Sequence, residues 1–136
     1  MFTFNDTKYS VQEEYHDIKD KNLSFFGFSR CKDNGKLSDI YHIMWDDHDG
    51  GTYGLFEGNI EYVKKFLSAM RNCEAWEETL TGEAGYIWFE TGDNKISVFT
   101  DCDGGMFTYE DYTVEEWHHI VDEMEKAVEH LTNLKD

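Results

Sequence analysis

The pentapeptide Asp47-His48-Asp49-Gly50-Gly51 returns about 54 residues later as Asp101-Cys102-Asp103-Gly104-Gly105, and this repeat constrains the fold more than any other feature of the chain. The register holds on both sides of the motif. Trp45 aligns with Phe99, Tyr53 with Phe107, Asn59 with Thr113, Ile60 with Val114, Val63 with Trp117, Phe66 with Ile120, Leu67 with Val121 and Met70 with Met124. A glycine loop, an N-cap residue and an amphipathic stripe that recur in one register describe one supersecondary unit written twice. The 136 residues then form a single domain, 1–136, made of an N-terminal strand segment, 1–22, and two units, 23–80 and 81–136.

Local signals supply the elements of each unit. The run Leu23 to Phe28 and the run Ile40 to Trp45 flank Asp33-Asn34-Gly35, and Asn-Gly is a hairpin turn because both residues tolerate positive φ. A second hairpin joins Tyr86–Phe89 to Ile96–Phe99 through Gly92-Asp93-Asn94. Short aromatic strands, Thr52 to Phe56 and Met106 to Tyr109, follow the two glycine loops. The first helix starts behind Asn59 as N-cap, carries Ile60, Val63, Phe66, Leu67 and Met70 on one stripe, and is expected to end between Cys73 and Leu80. The second opens on a Thr113/Glu116 capping box and buries Trp117, Ile120, Val121, Met124, Val128 and Leu131. Near the start, Phe2, Phe4, Tyr9, Val11 and Tyr15 alternate with polar residues as one or two half-buried strands, and Asp17 to Lys21 reads as a loop.

These elements predict an α+β fold. It is a two-layer sandwich with one antiparallel sheet of about six to eight strands, two amphipathic helices on one face, and a duplicated βββα unit. The other sheet face is left for solvent or a ligand, with Tyr41, Tyr86 and Trp88 as the aromatics expected there.

Charge then limits the partners. Asp and Glu number 29 against 12 Lys and Arg, a net charge of −17, and the only arginines are Arg30 and Arg71. Such a chain cannot neutralise a phosphate backbone or hold an anionic membrane surface. It is not a disordered acidic segment either, because 16% of its residues are aromatic and 40% apolar. No apolar run is long enough to span a bilayer, and the start Met-Phe-Thr-Phe-Asn-Asp has neither the basic nor the apolar region of a signal peptide. Three cysteines, Cys31, Cys73 and Cys102, lack zinc-type spacing. A cytoplasmic setting with reduced thiols is the expectation.

The glycine loops admit two plain readings. Asp and Gly at these positions suit tight turns, and the alternating carboxylates Asp47, Asp49, Asp101 and Asp103 would be the ligands if calcium binds. The stretch Ile96-Ser-Val-Phe-Thr-Asp101-Cys-Asp103-Gly also resembles the nucleophile motif of haloacid-dehalogenase-type phosphatases, which would imply Asp101 as nucleophile and Asp103 as acid/base. The short remainder leaves no room for that family's parallel sheet, phosphate-binding lysine or acidic metal loop, so no catalytic residue is assigned. His118 and His119 are adjacent on a helix and diverge too far to share one metal.

The function expected is an acidic protein–protein interaction module. It would inhibit a basic nucleic-acid-binding protein or nuclease, as immunity proteins and phage anti-defence proteins do, with carboxylates in the places of phosphates. The partner-binding residues expected are Asp46, Asp47, Asp49, Glu57, Glu77, Glu78, Asp101, Asp103, Glu110 and Asp111, with Tyr53 and Trp88 as aromatic anchors. The alternatives are a calcium-binding domain using the paired loops, and a small-molecule-binding domain or enzyme on the aromatic sheet face. A monomer and a homodimer both fit.

Overall fold

A computed structural model describes residues 12–19, 25–46, 52–80, 83–102 and 107–135. The element order is β1 (Gln12–Lys19), β2 (Phe25–Asp33), β3 (Lys36–Asp46), β4 (Thr52–Gly58), α1 (Ile60–Arg71), β5 (Trp76–Leu80), β6 (Glu83–Gly92), β7 (Lys95–Cys102), β8 (Phe107–Tyr112) and α2 (Val114–Thr132). Four antiparallel strands followed by a helix therefore occur twice. Each meander pairs in chain order, β1-β2-β3-β4 and β5-β6-β7-β8, so the protein has two four-stranded sheets.

The two hairpins and both helices lie where the local signals put them. Asn34 and Gly35 have φ of 53° and 81°, the left-handed pair that an Asn-Gly hairpin turn needs, and Asn94 has φ of 51° in the second hairpin. The Asn59 side chain accepts from the Tyr62 amide at 3.0 Å. At the second helix the Thr113 hydroxyl accepts from the Glu116 amide at 3.0 Å, while the Thr113 amide donates to the Glu116 carboxylate at 2.8 Å. Each cap satisfies amides that the helix itself cannot, worth about 1 kcal/mol.

Three expectations need correction. The single sheet of six to eight strands is two sheets, because an open sheet twists by roughly 20–25° per strand and two short meanders can wrap one core from both sides. The segment expected as a loop from Asp17 belongs in part to β1, where Asp17 pairs with Gly27 and Lys19 with Phe25. Charged side chains do not disqualify an edge strand; they protect it. The first helix stops at Arg71, capped by Asn72, and the residues expected to trail from it form β5, which pairs with β6. Cys73, with φ of 54°, makes the turn between them. The N-terminal apolar residues Phe2, Phe4, Tyr9 and Val11 lie outside the described residues.

One core joins the halves. Phe26, Phe28, Ile43 and Phe56 of the first sheet, Ile87, Ile96 and Val98 of the second, and the helix residues Val63, Phe66, Met70, Trp117, Val121 and Met124 belong to a single buried cluster. Helix α1 packs on β3 and β4, whereas α2 touches β1 and β2 as well as β7 and β8. Tyr41, expected on the open face, is buried in this core with the Arg30 guanidinium 5.5 Å from its ring centroid.

Polar contacts settle where α2 lies. The buried indole N–H of Trp117 donates to the Met70 carbonyl in the last turn of α1 at 2.8 Å. Arg30 on β2 donates to the Leu131 carbonyl at the end of α2 at 3.1 Å, where a cation also suits the helix dipole. Arg71 reaches Asp122 at 2.6 Å and Glu125 at 2.8 Å. Both arginines of the chain are thus spent on one helix.

Trp117→Phe should cost about 1–3 kcal/mol by urea denaturation, since it removes a buried hydrogen bond and leaves a void. Trp76→Phe should cost less, because the Trp76 indole N–H has no hydrogen-bond partner among the described residues. Equal losses would show that the Trp117 bond contributes nothing. Arg71→Ala, which breaks a half-exposed pair, should cost about 1 kcal/mol or less.

Candidate functional site

Strand alternation puts one set of side chains of the second sheet into the core and the other set outside. Ile87, Ile96, Val98 and Tyr112 point inward. On the opposite face the register pairs Glu77 with Tyr86 and Tyr86 with Asp101, then Trp88 with Phe99 and Phe99 with Tyr109, then Glu90 with Ser97 and Ser97 with Asp111. The middle of this outer face is therefore aromatic and both ends are acidic.

The rings form a continuous ladder. Tyr86 stacks on Trp88 with centroids 4.8 Å apart, Trp88 lies on Phe99 at 5.3 Å and 8°, and Phe99 leans on Tyr109 at 4.9 Å. Tyr86 and Trp88 are neighbours on one face of β6, whereas Trp88–Phe99 and Phe99–Tyr109 are cross-strand pairs, and aromatic pairs contribute roughly 0.5–1.5 kcal/mol each. Tyr86 and Tyr109 remain 38% and 42% exposed. The ladder therefore leaves part of its aromatic surface open on the outer face of the sheet.

At one end of the ladder, Asp111 accepts from the Ser97 hydroxyl and from the Tyr109 hydroxyl, the latter at 2.8 Å, with Lys95 at 3.4 Å. The bond from Ser97, then that from Tyr109, holds the Asp111 carboxyl below the ordinary carboxylate range. The same contact pushes the Tyr109 phenol up. The ring and the carboxylate are thus fixed in place before any partner arrives.

Of the expected partner-binding residues, Glu77, Trp88, Asp101 and Asp111 share this face. Glu110 pairs with Val98, which the register assigns to the other side of the sheet. Glu57 points elsewhere, as described next. Asp46, Tyr53 and Glu78 lie in β3, β4 and β5, with side chains outside the described set, and Asp47, Asp49 and Asp103 lie outside the described residues. Phe99, Tyr109 and Glu90 complete the face. Period-two alternation in Tyr86, Trp88, Glu90 carried the signal for this face, but the apolar residues Ile87 and Phe89 on the opposite phase hid which side was inward.

A second constellation occupies the first sheet. Ser29 on β2, His42 on β3 and Glu57 on β4 are direct cross-strand neighbours, on the face opposite Phe28, Ile43 and Phe56. Cys31 joins them. Its Sγ lies 3.2 Å from His42 Nδ1, and His42 Nε2 lies 2.8 Å from Glu57 Oε1. An ionised Glu57 can only accept, so Nε2–H donates to it and Nδ1 is left to accept from the thiol. The imidazole stands between the other two groups, so the three do not converge on a point as metal ligands do. Among the described residues no set of three or more His, Cys, Asp or Glu side chains is placed to hold a metal ion.

The chain matches no protein-family model and no curated protein. Among the described residues no helix is long and apolar enough to cross a membrane.

The Asp111 contacts set a pH dependence. Because its folded pKa is lowered, its stabilisation is full above the ordinary carboxylate value of 3.8 and is lost as pH falls through the lower folded value. Asp111→Asn should therefore be less stable than the wild type at pH 6, with the difference closing in acid. A difference that does not change between pH 6 and pH 2 would remove this assignment.

Proposed function

We propose that this protein is an acidic interaction module that docks onto a basic, nucleic-acid-binding protein, such as a nuclease, through the outer face of its second sheet. The observation that carries the reading is the Tyr86–Trp88–Phe99–Tyr109 ladder bordered by Glu77 and Asp101 at one end and Glu90 and Asp111 at the other. A guanidinium stacks on an aromatic ring through its flat face while its N–H edge pairs with a carboxylate, so this composition fits arginine better than any other side chain.

Sheets that expose aromatic rings elsewhere stack nucleobases. Such sheets depend on cations to follow the phosphates, and here the net charge is −17, with Arg30 and Arg71 both engaged by α2. The ring face therefore suits the protein that binds nucleic acid rather than the nucleic acid itself. Carboxylates at both ends of the ladder supply the negative pattern that a phosphate-binding groove recognises, and the remaining charge accelerates encounter. A cytoplasmic setting is part of the same reading.

An octa-arginine peptide is the defined probe, followed by calorimetry at low and moderate salt. Binding should weaken with salt, and the double variant Tyr86→Ala/Trp88→Ala should weaken it about tenfold or more. Charge-matched variants separate the face from bulk attraction: Glu77→Gln/Asp101→Asn should weaken binding, whereas Glu115→Gln/Glu129→Gln on α2 should barely change it. Equal effects of the two pairs, or no effect of the ring variants, would overturn the assignment.

A further inference from the structure

We infer that Cys31 is an activated thiol that reacts with hydrogen peroxide or a comparably small, neutral peroxide, with His42 as proton acceptor and Glu57 as the positioning residue. The inference stands apart from the docking face, since it concerns the other sheet.

The local fold builds the contact. Between the pairs Arg30–Tyr41 and Lys32–Leu37 the β2–β3 ladder changes register, so β3 bulges opposite Cys31. The bulge is held on several sides: the Ser38 hydroxyl donates to the Cys31 carbonyl at 2.9 Å and accepts from the Ile40 amide at 3.2 Å, and Arg30 Nε donates to the Ser38 carbonyl at 2.9 Å. Bulges re-aim side chains. This one leaves the Cys31 thiol against His42 Nδ1, in the order nucleophile, base and orienting carboxylate that activates cysteine in unrelated proteins.

Burial selects the reactant. Cys31 is 0% exposed and His42 1%, which shuts out a macromolecular substrate and any bulky reagent. The net charge of −17 repels anionic ones. A small neutral peroxide is not repelled by the charge and needs only the smallest local opening of the sheet to reach the sulfur. The Glu57 side chain at the far end of the array is 33% exposed, so its carboxylate stays partly hydrated while it orients His42. Cys73, whose thiol is pushed up by burial, is the internal reference.

The step balances as follows. The thiol proton passes to His42 Nδ1, giving a thiolate beside an imidazolium that Glu57 holds. The thiolate sulfur attacks one peroxide oxygen, forming S–O as O–O breaks. The departing oxygen takes the proton back from His42 and leaves as water. Sulfur is oxidised by two electrons to the sulfenic acid and the peroxide is reduced by the same two.

The test exposes the folded full chain to hydrogen peroxide, removes the excess, denatures in guanidinium with dimedone so that any sulfenic acid is trapped whatever its burial, and maps the label by mass spectrometry. Cys31 should label at least about tenfold faster than Cys73. His42→Asn should bring the Cys31 rate down to that of Cys73, and Glu57→Gln should lower it in part. Should His42→Asn fail to fold, the wild type decides: unfolding in urea exposes the thiol but dismantles the relay, so Cys31 labelling should slow. Faster labelling on unfolding, no label at Cys31, or a rate indifferent to Glu57→Gln would each show that the array is only a packed hydrogen-bond chain.

Discussion

The placement of α2 is the constraint on which the rest depends. A helix following β8 could have lain on its own sheet alone, yet it spans both, and the contacts that hold it come largely from the first unit: the Met70 carbonyl under the Trp117 indole, Arg30 at its C-terminus and Arg71 along its acidic face. The buried bond matters most. An indole N–H in this core must find an acceptor or lose its hydration without return, so Trp117 specifies one crossing of the helices among those that hydrophobic contact alone would allow. With α2 fixed there, the inner faces of both sheets are covered and only their outer faces remain for chemistry.

That division of faces gives the net charge a structure. An excess of −17 repels itself, and the fold accommodates it by sending carboxylates outward along α2 and across the second sheet while drawing both arginines into α2's support. The polar residues of the first sheet are treated differently. Ser29, Cys31 and His42 are buried on its outer face, with the partly exposed Glu57 beside them. Two related meanders thus present unlike surfaces, one aromatic and acidic, the other a closed hydrogen-bonded array.

Much of the local architecture was legible along the chain. Asn34-Gly35, Asn59 and the Thr113/Glu116 box act over four residues or fewer, so their chemistry announces a turn or a helix start wherever it occurs. The edge strands β1 and β5 were harder, since charged residues obscure the alternation and pairing with β2 and β6 is what makes them strands. Trp88, Glu77, Asp101 and Asp111 could be named as candidates, but not as neighbours. Cys31, His42 and Glu57 sit on three strands, and the bulge at Ser38–Ile40 that brings the thiol to the imidazole has no signature in spacing.

By itself, then, the order of residues determined a recurring motif, its turns and caps, and a net charge of −17, because each of these depends on near neighbours or on a sum over the chain. Tertiary structure alone decided that the strands divide into two sheets, which aromatic phase faces outward, and which carboxylates meet a ring or a histidine. Those outcomes depend on strand register and on where α2 comes to rest, and both are settled by contacts between residues far apart in the chain.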